Sequence, residues 1–119
     1  MLRLRQMLSA DADEVRRVDL LAWQDILPAK LRLTPRTREN ILACRAVFPA
    51  GCLVAETRGR MIGFIFSRRW GTLGWVGTFG VLPEARGAGI GQRLLARAVA
   101  ALKKSGCREI GLETMETSP

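Results

Sequence analysis

The chain has 119 residues, of which 48% are hydrophobic, so it can bury one core and is too short for two ordinary domains. We therefore predict one domain over residues 1–119. The formal net charge of +8 favours a polyanionic partner, either a nucleic acid or a small phosphorylated cofactor. Because the basic residues are spread along the chain and aromatic residues do not alternate with them, the phosphorylated cofactor is the preferred interpretation.

Neither a targeting segment nor a metal site is predicted. The first ten residues lack the sustained apolar stretch of a signal peptide or a transmembrane span, so we expect a cytoplasmic protein. The three cysteines do not have the spacing of metal ligands, and the chain has no histidine to complete a zinc site. We therefore expect no metal, and reduced, buried thiols at Cys44, Cys52 and Cys107.

The first third of the chain predicts a strand and two helices. Leu2, Leu4 and Gln6 alternate with Arg3 and Arg5, as is typical of a strand. From residue 15 to residue 26 apolar side chains recur every three or four positions, which predicts an amphipathic helix that Pro28 ends. Thr34 as N-cap and Pro35 as first helical residue predict the start of a second helix.

The middle of the chain predicts an antiparallel hairpin and a third strand. Residues 52–57 and 61–67 are apolar and partly β-branched or aromatic, and a short turn joins them. Residues 73–82 form the next predicted strand. Glycine is unusual inside a strand, and we interpret Gly80 as the position of a bulge.

A helix and a last strand complete the predicted order. Residues 92–105 carry one apolar and one basic stripe, and Gly106 supplies a helix stop. Residues 109–114 alternate as a strand does. The order β-α-α-β-β-β-α-β predicts an α/β class with a mixed sheet. The last three elements, the strand over residues 73–82, the helix over residues 92–105 and the strand over residues 109–114, are predicted to form a right-handed crossover.

The segment from Arg86 to Gly91 carries three alternate glycines just before the last helix. Glycine lets main-chain amides approach a ligand, and the first N–H groups of a helix, together with its dipole, attract anions. We therefore predict that this turn binds a pyrophosphate, with Arg86 adding charge at the rim. A P-loop is excluded because Gly-Lys-Ser/Thr is absent, and the dinucleotide fingerprint is excluded because Gln92 stands where it needs glycine.

What remains is Arg-x-x-Gly-x-Gly, preceded by Val-Leu-Pro-Glu at residues 81–84 and followed by an amphipathic helix. In this setting it resembles the acyl-CoA motif of the GCN5-related N-acetyltransferase (GNAT) superfamily, and the resemblance extends from the first strand to Thr114. It implies a GNAT-like fold, acetyl-CoA or another acyl-CoA as cofactor, and transfer of the acetyl group to a primary amine of a small molecule or peptide.

The resemblance also implies the residues that hold the cofactor. Main-chain groups of two strand residues would pair with the pantetheine arm, and amides of the glycine-rich turn would hold the pyrophosphate. A bulge at Gly80 would separate this strand from the last one and open a cleft for the thioester. The implied cofactor-binding residues are Phe79, Val81, Arg86, Gly87, Ala88, Gly89, Ile90, Gly91 and Gln92.

Two features depart from the family pattern. The strand before the motif has no acidic residue and the chain has no tyrosine, so Asp25 and Glu113 are the candidates left for catalysis. The alternative for each is an exposed or paired carboxylate without a catalytic role. The family normally continues beyond Thr114 with a helix and two strands, so we expect the front part of a GNAT domain, C-terminally truncated, with an open sheet edge that would suit a homodimer.

Three functions therefore stay open. The leading prediction is an acyl-CoA-dependent N-acetyltransferase. A non-catalytic module that binds CoA or acyl-CoA, or an inactive fragment, is favoured by the missing tyrosine and histidine. A basic nucleic-acid-binding domain is the third alternative, and it predicts binding that weakens steeply with salt.

Overall fold

The computed structural model describes residues 1–23 and 36–112, which form a five-stranded sheet with strand order β1-β2-β3-β4-β5. Strands β1 to β4 pair antiparallel, and β5 pairs parallel with β4. The predicted mixed sheet and element order are confirmed. The strands are β1 (Leu2–Gln6), β2 (Leu53–Thr57), β3 (Arg60–Trp70), β4 (Leu73–Val81) and β5 (Glu109–Leu112), and the helices are α1 (Ala12–Trp23), α2 (Arg38–Val47) and α3 (Ile90–Lys104).

The helices cover opposite faces of the sheet. A Cβ built on Gly74 of β4 would meet Leu102 of α3, whereas one built on Gly80 would meet Ala22 of α1. The apolar stripe of α3 is therefore buried on one face, and α1 packs on the other. The largest fully buried side chains are Phe64, Met7, Ile41, Ile65, Leu82, Leu94 and Leu102.

The second helix begins later than the sequence predicts. Its N-cap is Thr37, whose side chain accepts a hydrogen bond from the main-chain N–H of Asn40 at 3.1 Å. The predicted capping residues Thr34 and Pro35 lie outside the described residues, as does the predicted helix end at Pro28.

The β2–β3 hairpin is confirmed, and its turn explains its register. Arg58 and Gly59 both have positive φ, 53° and 74°, as in the two-residue turns whose twist matches that of the flanking strands. Beyond Ser67, where the predicted strand ends, β3 continues to Trp70 and pairs with the start of β4.

The predicted bulge at Gly80 is wrong by two to three residues. Gly80 pairs regularly with Phe64, while the register between β3 and β4 breaks where Gly77 and Thr78 together oppose Phe66. Gly77 has a φ of 149°, a conformation that side chains on Cβ disfavour. Strand β4 does contain a bulge, but it has several glycines and the sequence analysis chose the wrong one.

The β4–α3–β5 unit is a parallel crossover with a defined helix end. Gly106 has a φ of 103°, and the N–H groups of Gly106 and Cys107 donate to the carbonyls of Lys103 and Leu102 at 3.0 and 3.1 Å. This pair of bonds is the Schellman motif, which satisfies the last carbonyls of α3. Helix α3 begins at Ile90, two residues before its predicted start, so the glycine-rich segment reaches into its first turn. None of the helices in the described residues is long and apolar enough to cross a membrane.

Candidate functional site

The glycine-rich turn adopts a conformation that requires glycine at two positions. Gly87 and Gly89 have φ values of 88° and 77°, and among the described residues no atom beyond their immediate chain neighbours lies within 4 Å of a Cβ built on either one. Gly89 is the N-cap of α3, and its carbonyl accepts a hydrogen bond from Arg93 at 3.1 Å. The turn therefore leaves an open space in front of the first residues of the helix.

The main-chain N–H groups from Gly87 to Gln92 have no acceptor among the described residues. Within the described ranges, none of them donates to another main-chain or side-chain group, whereas the next N–H, that of Arg93, is already bonded to Gly89. The first turn of α3 contains no acidic residue that would neutralise the helix dipole. The turn is therefore a row of free donors at a positive helix end, which is suited to a phosphate anion.

A cavity of about 530 Å³ opens in front of this turn. It lies between the last turn of α1, the second half of β4 and the start of α3. All the predicted cofactor-binding residues line it except Ala88. The cavity also has lining residues that the sequence reasoning missed, and these are Ala22, Trp23, Gly80, Ala85 and Leu95.

The hydrogen-bonding pattern of β4 turns two main-chain segments toward the cavity. Leu82 donates to the carbonyl of Ile62 at 2.8 Å, so residues 82 and 80 bond to β3. In an antiparallel ladder the intervening residues point the other way, which for β4 means Phe79 and Val81. The described part of β5 pairs only with residues 73–76 of β4, so these two residues lie beyond it.

Arg86 connects the turn to α1. Its guanidinium donates a hydrogen bond to the carbonyl of Ala22, in the last turn of α1. The sequence predicts Arg86 as a charge at the rim of the site. The structure shows in addition that this side chain connects two walls of the cavity.

Residues 13–119 match the sequence pattern of the Acetyltransferase (GNAT) family, which is most of the chain. The chain belongs to this family. The N-alpha-acetyltransferase MAK3 of Arabidopsis thaliana is 32% identical over 71 residues, which are 56% of this GNAT chain and 37% of that protein. The chain thus matches little more than a third of the length of this curated relative.

Solved structures agree with the family assignment. A GNAT family acetyltransferase from Brucella melitensis, crystallised with acetyl-CoA, is 25% identical and superimposes with a TM-score of 0.78 over 98% of this chain and 78% of its own. The PaiA N-acetyltransferase from Thermoplasma acidophilum, crystallised with coenzyme A, reaches a TM-score of 0.85 at 19% identity, over 98% of this chain and 80% of its own. At that identity the second likeness shows the fold alone.

A buried charged pair in this GNAT chain escaped the sequence reasoning. Asp19 of α1 is only 9% exposed, and its Oδ2 lies 3.8 Å from Nε of Arg36. Burial raises the pKa of Asp19, and the charge of Arg36 opposes that rise. Asp19 stands four residues after Val15 and three before Ala22, so its place on the apolar stripe of α1 was the available signal.

The catalytic candidates Asp25 and Glu113 both lie outside the described residues, so their roles stay predictions. All three cysteines are free thiols, with Cys52 and Cys107 buried and Cys44 half-buried. Burial raises the pKa of the Cys52 thiol, which keeps it protonated. In the described ranges, no three acidic or cysteine side chains come close enough together to hold a metal ion.

Proposed function

We propose that this chain binds acetyl-CoA, or another acyl-CoA, and transfers the acyl group to a primary amine. The observation that supports this most strongly is the row of unbonded N–H groups from Gly87 to Gln92, at a helix end that opens into a cavity. In this proposal residues 1–119 act as one cytoplasmic acyl-CoA-binding domain, and the acceptor is a small molecule or a peptide.

The residues present fit the cofactor. Amides from Gly87 to Gln92 would hold the pyrophosphate, and Arg86 would add positive charge beside it. The main-chain groups of Phe79 and Val81 would pair with the amides of the pantetheine arm, as an added strand would. The cofactor supplies the activated acyl group as a thioester.

The relatives support the acceptor class. MAK3 is an N-alpha-acetyltransferase by name, and the Brucella melitensis structure contains acetyl-CoA. An amine must be neutral to attack a thioester, so the acceptor has to lose a proton before or during the reaction. Since the cavity holds its reactants close together, we attribute most of the rate enhancement to positioning.

A second candidate is a module that binds CoA or acyl-CoA without catalysis. The supporting observation is the lining of the cavity, in which Arg86 is the only ionisable side chain among the described residues. An arginine stays charged at neutral pH and cannot take a proton from an amine. Binding without turnover would be the expected behaviour of such a module.

Calorimetry with acetyl-CoA tests the shared part of both candidates. We expect saturable binding of one molecule per chain. Absence of any heat of binding at millimolar acetyl-CoA would contradict the site. Affinity for DNA or RNA that falls steeply with salt and does not respond to CoA would favour the nucleic-acid alternative instead.

Release of free thiol in the presence of an amine panel then separates the two candidates. An N-acetyltransferase releases one CoA for each amine acetylated, and a binding module releases none. The panel should contain free amino acids, polyamines and short peptides with free N-termini. Mass spectrometry of the amines identifies the acetylated product and distinguishes transfer from simple hydrolysis.

A further inference from the structure

The bulge in β4 lies at one end of the cavity. Thr78 immediately precedes Phe79, the first β4 residue of the cavity lining, and the bulge pair Gly77 and Thr78 opposes Phe66 of β3. A ligand arm that pairs with Val81 and then with Phe79 runs from the glycine-rich turn toward this bulge. Along β4, the bulge therefore marks the end of the cavity that is farthest from the glycine-rich turn.

Arg36 contacts both strands at the bulge. Its Nη2 donates to Oγ1 of Thr78 at 2.7 Å, and its guanidinium carbon lies 5.2 Å from the centre of the Phe66 ring. The planar guanidinium of Arg36 therefore contacts both Thr78 in the bulge of β4 and Phe66, the β3 residue opposite the bulge. The contact on Phe66 is a cation–π interaction, which adds to the hydrogen bond.

The rest of Arg36 is also held in place. Its Nε faces Asp19 at 3.8 Å and its Nη1 donates to Oδ1 of Asn40 at 3.3 Å. Its carbonyl accepts a hydrogen bond from Nε of Arg16 at 3.0 Å. The three guanidinium nitrogens thus reach three different elements, α1, α2 and β4.

The last turn of α1 links the contacts of Arg36 to the glycine-rich turn. Asp19 holds Arg36, and one turn later the carbonyl of Ala22 accepts the hydrogen bond from Arg86. Ala22 and the residue after it, Trp23, line the cavity. Arg36 therefore connects α1 to β4 at Thr78, and Arg86 connects α1 to the turn that follows β4.

We infer that Arg36 is a positioning residue that sets the shape of the bulge and thereby the part of the cavity that receives the acyl group. This inference rests on the proposed binding of acyl-CoA. The CoA part of the ligand would contact the turn and the main chain of Phe79 and Val81, at a distance from Arg36. Loss of Arg36 should therefore affect the acyl group and spare the CoA part.

The test compares acetyl-CoA with CoA on the variant Arg36→Lys. Lysine keeps the charge opposite Asp19, but its single ammonium cannot reach Asp19, Asn40 and Thr78 together. We expect the dissociation constant for CoA to stay within about twofold, and the preference for acetyl-CoA over CoA to fall by about fivefold, the worth of one lost hydrogen bond. Arg38→Lys is the matched control, because Arg38 is an exposed arginine only two residues away, at the start of α2, and it should change neither value.

A second pair of variants keeps the test valid if Arg36→Lys does not fold. Thr78→Val removes the hydroxyl that accepts from Arg36, and Thr78→Ser keeps it. We expect the valine variant to lose the preference for acetyl-CoA and the serine variant to retain it. A change in melting temperature alone would not produce this split.

Three outcomes would overturn the inference. The first is an unchanged acetyl-CoA preference in Arg36→Lys or, where that variant does not fold, in Thr78→Val. The second is equal loss in the valine and serine variants. The third is equal affinity of the wild-type chain for acetyl-CoA and CoA. Complete absence of CoA binding by the wild-type chain refutes the proposed function itself and is distinguishable from all three.

Discussion

The two ends of the cavity are built in different ways. At the proposed phosphate end, the donors are consecutive main-chain amides from Gly87 to Gln92, and a short segment contains all of them. At the bulge end, side chains from α1, α2 and two strands meet around Arg36. The first end depends on local backbone conformation, whereas the second depends on how distant segments pack. Substitutions at the two ends should therefore differ in size and in kind.

The largest effect is expected at the phosphate end, from Gly89→Trp. The indole would project into the open space in front of the amides and exclude the pyrophosphate. Losing two charge-assisted hydrogen bonds should weaken acetyl-CoA binding at least about 100-fold, or about 2.7 kcal/mol. Calorimetry measures this change directly.

Gly71→Trp is the matched control for that substitution. Gly71 also has a positive φ, 57°, and open space around it, but it lies in the turn at the opposite end of β4. Both variants carry the same kind of backbone strain, about 1–2 kcal/mol of stability. Equal loss of affinity in the two variants would contradict the binding role of the amides.

A pH experiment distinguishes the buried pair at the bulge end from an ordinary ion pair. Burial raises the pKa of Asp19 above its usual 3.8, so the folded chain holds this proton more tightly than the unfolded chain does. Stability should therefore fall as the pH rises from 3.8 through the raised pKa, with a slope of at most about 1.4 kcal/mol per pH unit. Urea unfolding over this range should show that Asp19→Asn lacks this slope.

Asp11→Asn supplies the opposite sign as a comparison. Arg5 holds the Asp11 carboxylate with hydrogen bonds of 2.7 and 3.0 Å and lowers its pKa. Its stabilising contribution is present above pH 3.8 and is lost as the pH falls through the lowered pKa. Parallel pH profiles for the two variants, each measured against the wild-type chain, would contradict the contrast between a buried and a well-paired carboxylate.

The smallest effect is expected at the residue that starts α2. Thr37→Ala removes the N-cap bond to Asn40 and should cost about 1 kcal/mol of stability. Because Thr37 does not line the cavity, the loss should leave CoA affinity unchanged. Thr37→Ser keeps the capping oxygen and should restore the melting temperature, and failure of this rescue would argue against the cap.

The bulge shows why the sequence predicted one end of the cavity better than the other. Several glycines lie in β4, and the sequence alone gave no reason to prefer Gly77 over Gly80. The register of β3 decides between them, because Phe66 is the residue that two β4 positions oppose. Pairing between strands is a tertiary property, so a pattern within one strand could not specify it.

The charged pair was missed for a related reason. Asp19 lies on the apolar stripe of α1, which marks it as unusual, but nothing in the neighbouring sequence identifies its partner. Arg36 is 17 positions further along the chain, and Thr78 is 42 positions beyond that. Such contacts form only when the helices pack on the sheet.

The sequence by itself determined the strands, the hairpin and the helix that follows the glycine-rich turn, as well as the likeness to GNAT acetyltransferases. These features depend on hydrophobic period, glycine conformation and helix ends, all of which act over a few neighbouring residues. Tertiary structure alone decided where β4 bulges, that Arg86 reaches the carbonyl of Ala22, and that Asp19 meets Arg36. Each of these depends on segments far apart in the chain that only packing brings within hydrogen-bonding distance.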